Sequence, residues 1–369
     1  MTLSSHPNNV SLLTPPSNRA GDISQIPNNL AITPGEGVNG VWVEPADHLV
    51  TGKLKVWADI SSVTPIRIPG YWIHREGSPI AVGAGPIAGE KVVLILHGGG
   101  YIRMSSHPNF GPGGAISRGL LKHVEAVSRT FAPEYRLASG EPLEQANPFP
   151  AQLLDALAGY NYLVNTVGFD PQDIIVEGDS AGGNLAHALT QYLVDYQDAE
   201  DIKLPKPPGA LLLICPWVDL SDAMYSAEHG SHVTNSVSDF IGPPEAMTAY
   251  AKRAFLGPHG PSAAENNHYI SPACLLPSFN VDFKHFPRTF INAGGAEILL
   301  DSIKVYRDRM VEELGEGDGV KEGDGKVCYH EMPDGTHDYI ALEWFEPERT
   351  TSFKEISRWV SAALSPSDP

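Results

Sequence analysis

Cysteine is scarce in this chain. The three cysteines in 369 residues, Cys215, Cys274 and Cys328, lie far apart, with no C-x-x-C and no neighbouring histidine pair. Neither a zinc site nor a disulfide framework is implied, and a reducing compartment, the cytoplasm, is the simplest context. Long apolar runs are missing too. Nothing approaches the roughly 18 residues needed to cross a bilayer, so no stable membrane anchor is expected, and the start Met1-Thr2-Leu3-Ser4 has neither the basic residues nor the apolar core of a signal peptide. Positive charge is short as well, 25 Lys and Arg against 44 Asp and Glu, for a formal net charge of -19. That balance repels nucleic acid and anionic membrane surfaces and leaves neutral or cationic small molecules as easier partners. The acidic run Glu316 to Gly325 lacks the ligand spacing of an EF-hand and reads as a mobile surface loop. No cofactor and no metal is implied, and a homodimer is compatible with the composition.

With 42% hydrophobic residues, the chain has enough apolar material for one large core, or for a core and a smaller lobe. Residues 1–60 are turn-rich and read as an N-terminal extension draped over a domain, available to form part of a cap, although Gly40 to Val43 already resembles a strand. From Lys91 the pattern is regular. Val92 to Leu96, Ala126 to Phe131, Ile174 to Val176, Ala210 to Cys215, Arg288 to Asn292 and Lys326 to Met332 are short apolar runs of the kind that strands buried on both faces show. Segments with helical spacing lie between them. This alternation predicts a mainly parallel sheet with helices on both faces, spanning 61–218 and 269–369. Residues 219–268 interrupt the rhythm after the sixth strand and read as a cap insertion. They hold an amphipathic helix with Met247, Tyr250 and Phe255, begun by Gly242-Pro243-Pro244 and ended by Gly257-Pro258. Its apolar face either closes a pocket or packs on the core.

The chemistry centres on Gly178-Asp179-Ser180-Ala181-Gly182-Gly183, a G-x-S-x-G frame set between a strand and a helix. Such a sharp turn exposes the serine hydroxyl at the strand's C-terminal end, above a helix N-terminus that favours a developing oxyanion. A serine needs a base and an orienting acid. His337 lies in the loop after the last strand, and Glu297 and Asp301 follow the strand before it, giving the order serine, acid, histidine. One of those two carboxylates is expected to do no more than complement a helix dipole. Oxyanion donors can come from the backbone of Ala181 and of His97-Gly98-Gly99-Gly100, where no G-K-[ST] follows to suggest a phosphate loop.

Taken with Tyr101 after the glycines, Tyr135-Arg136-Leu137-Ala138, Pro148-Phe149-Pro150-Ala151, Asp155, Ile270-Ser271-Pro272 and Gly335-Thr336-His337, the chain resembles the hormone-sensitive-lipase-like branch of the α/β-hydrolases. The resemblance covers about residues 90–345. It implies an α/β-hydrolase fold and hydrolysis of small-molecule carboxylic esters, with Ser180 as nucleophile, His337 as base, and Gly98, Gly99 and Ala181 as oxyanion donors. Glu297 stands where the family usually opens a D-P-L-x-D motif and is taken as the acid. Tyr101, Trp217, Met247, Tyr250 and Phe255 are expected to bind substrate. The same constellation could open lactones, transfer acyl groups, run a dehydration or cyclisation on a natural-product scaffold, or serve a non-catalytic receptor.

Overall fold

Alternate residues of the strand Lys91–Leu96 face two different hydrophobic clusters. Val92, Leu94 and Leu96 belong to the larger one, Val93 and Ile95 to the smaller. That is why the run has no polar alternation: a strand covered on both sides has no solvent face. The computed structural model describes residues 31–223, 229–241, 247–276 and 280–362, with the Met247 side chain left out. The expected Gly242-Pro243-Pro244 helix start and the first 30 residues of the extension lie outside the described residues.

In chain order the elements are β1 (Asn39–Val43), α1 (Gly52–Ser61), β2 (Ile68–His74), β3 (Lys91–Leu96), α2 (Gly111–His123), β4 (Val127–Pro133), α3 (Ala151–Asn161) and β5 (Ile174–Asp179). There follow α4 (Ala181–Asp195), β6 (Ala210–Ile214), α5 (Ser231–Thr234), α6 (Met247–Leu256), α7 (Pro261–Asn266), β7 (Arg288–Gly294), α8 (Leu300–Leu314), β8 (Val327–Met332) and α9 (Glu348–Ala362). The strands form one sheet in the order β1-β2-β4-β3-β5-β6-β7-β8. β1 and β2 are antiparallel to their neighbours, and every pairing from β4 to β8 is parallel. Helices α3, α4 and α8 cover one face through Leu153, Leu157, Leu185, Leu189, Ile303 and Met310. α2 and α9 cover the other through Ile116, Leu120, Phe353 and Ile356. Each such side chain, fully buried, contributes on the order of 1.5–3 kcal/mol.

Residues before 61 are less of an appendage than their composition suggests. β1 is the edge strand of the sheet, and Val43, Leu49, Leu54 and Ala58 join the larger core cluster. The start of α1 is held by α4: the amides of Thr51 and Lys53 donate to the hydroxyls of Tyr192 and Tyr196 at 3.0 and 2.8 Å. These tyrosines satisfy amides that a helix start leaves without an internal acceptor. The 219–268 insertion shares the same core through Tyr250, Ala254 and Phe255. The glycine-rich acidic loop lies at the surface, as read from the sequence. It folds back on itself, with Gly317 N donating to Val327 O and Gly319 N to Gly325 O, and Arg288 Nε reaches the Asp318 carbonyl at 2.7 Å.

Candidate active site

β5 ends at Asp179 and α4 begins at Ala181, so a single residue, Ser180, makes the turn, at φ 52° and ψ -120°. Positive φ in a non-glycine residue is strained and persists only where the surroundings over-determine it. Here the Ser180 amide donates to Ile214 O and its carbonyl accepts from Trp217 N, both at 2.9 Å. The tightness dictates the flanking glycines. A Cβ on Gly178 would lie 2.1 Å from the Gly182 carbonyl oxygen, and one on Gly182 would lie 1.8 Å from that of Leu96.

Three of the side chains singled out in the sequence meet here. His337 Nε2 lies 2.8 Å from Ser180 Oγ, and His337 Nδ1 lies 2.9 Å from Glu297 Oε2. The second Glu297 oxygen accepts the Gly294 amide at 2.7 Å. Asp301 does not reach the histidine. Its carboxylate accepts the Ser231 amide at 2.6 Å, tying the insertion to the start of α8. Asp239, in the insertion, steadies both partner loops by accepting from Ile298 N at 2.7 Å and from His337 N at 3.4 Å. No local motif marks Asp239, because its partners lie about 60 and 100 residues away in sequence.

Burial pushes the Glu297 carboxyl above its usual range, against the pull of the His337 imidazole. For His337, burial acts downward, but the carboxylates of Asp338 and Glu297 more than offset it and hold the imidazole well above the ordinary histidine value. Asp338 was not foreseen. It sits in the left-handed region at φ 50°, and its Oδ2 lies 3.2 Å from His337 Nε2, the same nitrogen that faces Ser180. An imidazole must be neutral to take the serine proton, so a raised pKa places the acidic limb of kcat/KM at higher pH. Asp338→Asn removes the charge that raises it. The acidic limb of that variant is expected to move down by about one pH unit or more, as read from a kcat/KM–pH profile. A limb that stays in place or moves up would show that Asp338 does not set the titration.

Of the expected oxyanion donors, Gly98 needs correction. Its amide donates to Asp179 Oδ2 at 2.9 Å and is therefore committed within the protein. Its role is to allow close approach, since a Cβ there would come within 3.0 Å of Ser180 Cβ. Gly99 and Gly100, by contrast, line the cavity above Ser180, and Ala181 N stands at the first position of α4.

The same cavity corrects the substrate-binding expectations. Trp217 lines it, but Tyr101, Tyr250 and Phe255 do not. Tyr101 is fully buried, stacked on Phe255 at 3.9 Å between ring centroids, with its hydroxyl donating to Asn184 Oδ1 at 2.6 Å. Tyr250 and Phe255 face the core, where large apolar side chains gain most from leaving water. The face of α6 turned to the cavity carries the smaller Thr248 and Ala251. The Met247 side chain lies outside the described residues. Arg103, Phe240, Ile298 and Leu299 also line the cavity, and the sequence reading missed them. Among the described residues, one cluster has the reach to ligate a cation: Cys215, His337 and Asp338, with ligand atoms within 4.8 Å of one another. Burial holds the Cys215 thiol well above its usual pKa, so a proton would have to leave before it could bind a metal.

The model of the α/β hydrolase fold family matches residues 93–340. The chain belongs to this family. It is 28% identical to the esterase LipU of Mycobacterium tuberculosis over 274 residues, covering 74% of this chain and 78% of that protein. It is also 28% identical to an acetyl-hydrolase of Streptomyces hygroscopicus, covering 70% of each. A hormone-sensitive lipase from a metagenome library, solved by crystallography, superposes with a TM-score of 0.57 at 26% identity, covering 80% of this chain and 82% of that one. The branch resemblance drawn from the motifs therefore holds. No helix among the described residues is long and apolar enough to cross a membrane.

Proposed function

We propose that this protein hydrolyses carboxylic esters of small molecules through a seryl acyl-enzyme, with Ser180, His337 and Glu297 as its catalytic residues. The observation that carries the reading is the continuous line of short contacts from Glu297 through His337 to the Ser180 hydroxyl, ending under a glycine loop. In the first step, His337 Nε2 takes the Ser180 proton as Oγ attacks the ester carbonyl. The tetrahedral oxyanion is held by the amides of Ala181, Gly99 and Gly100, the last taking the place first expected for Gly98. The bond to the alcohol oxygen then breaks, and His337 returns the proton to that oxygen. Water, deprotonated by the same imidazole, releases the acid in the second step. Glu297 fixes the imidazole tautomer and stabilises the imidazolium. Trp217 and the Thr248/Ala251 face of α6 are the walls proposed to contact substrate.

A cytoplasmic location and a homodimer belong to the same reading. Three free thiols support the first, and β8, at the end of the sheet, offers an edge for the second. The test is to incubate the protein with p-nitrophenyl esters of graded acyl length, quench during turnover and map the adduct by mass spectrometry. The expected result is an acyl group on Ser180. Turnover with label on another side chain, or none on Ser180 under burst conditions, would overturn the mechanism.

A further inference from the structure

The glycine loop does more than clear space above Ser180. Four of its residues, Gly99, Gly100, Tyr101 and Met104, have positive φ, so the backbone winds tightly, and the Arg103 carbonyl would be 2.4 Å from a Cβ on Gly99. Strain at the non-glycine positions Tyr101 and Met104 needs firm support. Tyr101 supplies it through its stack on Phe255, its hydroxyl bond to Asn184, and its carbonyl, which accepts Ala138 N at 2.8 Å. Of the residues this wound loop contributes to the cavity lining, Ile102, Arg103 and Met104 beside the glycines, the charged one is Arg103. Its Nε is buried with no hydrogen-bond partner, and among the described residues no carboxylate forms an ion pair with it. Arg103 is half-buried, and the arginines buried more deeply are paired: Arg129 with Glu90 at 3.0 Å, Arg136 with Asp155 at 2.8 Å and Arg349 with Glu346 at 3.7 Å. Burial lowers the Arg103 pKa, yet a guanidinium stays charged at any working pH. A partly desolvated cation without an ion-pair partner, in the wall of the cavity that holds Ser180, is placed to receive an anion.

We propose that Arg103 is a specificity-determining residue that binds a carboxylate carried by the ester substrate, so that half-esters of dicarboxylic acids or acylated hydroxy acids are cleaved in preference to neutral esters of similar size. This rests on the ester-hydrolase reading above. A planar guanidinium matches a carboxylate through two parallel N–H···O bonds. The chain's net charge of -19 disfavours anions at long range, but a contact inside the cavity is screened far less than charges across solvent. Cleavage itself is unchanged: the ester C–O bond breaks, the alcohol leaves with the proton from His337, and water frees the acid.

The test compares kcat/KM within two matched pairs, followed by chromatography: monoethyl glutarate against ethyl valerate, with the anion on the acyl side, and para-acetoxybenzoate against its methyl ester, with the anion on the alcohol side. In the wild-type protein the anionic member of one pair is expected to be favoured by about tenfold or more, mainly through KM. The arm that shows it identifies the side on which the carboxylate lies. In Arg103→Met the ratio should fall to unity or below, and Arg103→Lys, which keeps the charge but not the fork, should retain part of it. Ratios at or below one in both wild-type pairs, or a preference that survives in Arg103→Met, would overturn the proposal. Should Arg103→Met fail to fold, the wild-type and Arg103→Lys ratios still decide. If the wild-type protein cleaves the neutral esters no faster than Ser180→Ala does, the ester-hydrolase reading falls instead.

Discussion

Ser180→Ala is expected to lower kcat for ester hydrolysis by about 10⁴-fold or more while leaving the fold intact. The substitution removes one heavy atom, Oγ, and with it the proposed nucleophile. What holds the turn stays in place, because Ser180 N–Ile214 O and Trp217 N–Ser180 O are backbone bonds, and Gly178 and Gly182 still allow the close approach. Alanine must adopt the same φ of 52°, so strain is neither relieved nor added to any large extent. His337 Nε2 loses one partner but keeps Asp338 at 3.2 Å, so no buried imidazole nitrogen is orphaned. Residual activity would come from the oxyanion donors acting on a water-attack path. Steady-state kinetics beside a circular-dichroism spectrum checks this. A normally folded variant that loses less than tenfold would rule out Ser180 as nucleophile.

The parts of this molecule legible in the sequence are those whose signal is local. A strand buried on both faces has no solvent side to mark with polar alternation, so the apolar runs of β3 and β6 and the apolar starts or centres of β5 and β7 announce themselves, and the glycines around Ser180 record a turn that no Cβ would fit. Motifs recognised by resemblance have plain physical reasons: Arg136 and Asp155 make a buried pair with several hydrogen bonds, and Asn184 Nδ2 anchors the Ile270 carbonyl at 2.8 Å. The contents of the cavity were hidden, because they depend on which face of α6 packs into the core. Large side chains are most valuable in the core, so the helix turns Tyr250 and Phe255 inward and leaves Thr248 and Ala251 at the cavity wall. Gly98 was misjudged for a similar reason, since its amide is claimed by Asp179, a residue 81 positions away. The strand at Gly40 to Val43 was legible, but α1 was not, and the turn-rich composition around both disguised how far this segment joins the core.

Glu297→Gln is expected to lower kcat by about 10²-fold to 10⁴-fold, and Asp301→Asn by less than about tenfold. The amide replacing Glu297 is nearly the same size, so packing in this fully buried position is preserved. Its orientation is dictated by Gly294, whose amide donates to Glu297 Oε1 at 2.7 Å and needs an oxygen there. The NH₂ group must then face His337 Nδ1, where the carboxylate oxygen stood at 2.9 Å. A donor at that place turns Nδ1 into the acceptor and drives the proton to Nε2. The nitrogen facing Ser180 Oγ at 2.8 Å can then no longer take the serine's proton. The imidazolium formed on attack also loses its buried counter-charge, although Asp338 beside Nε2 keeps part of that stabilisation. The Asp301 carboxylate, by contrast, accepts the Ser231 amide, and its own amide donates to Ser231 Oγ. Asparagine retains an acceptor for the first bond, so the insertion stays tied down and the relay is untouched. Kinetics of the two variants, each verified as folded by circular dichroism, decides the matter: the reverse order of losses would make Asp301 the acid and would mean that the loop after β7 rearranges during turnover.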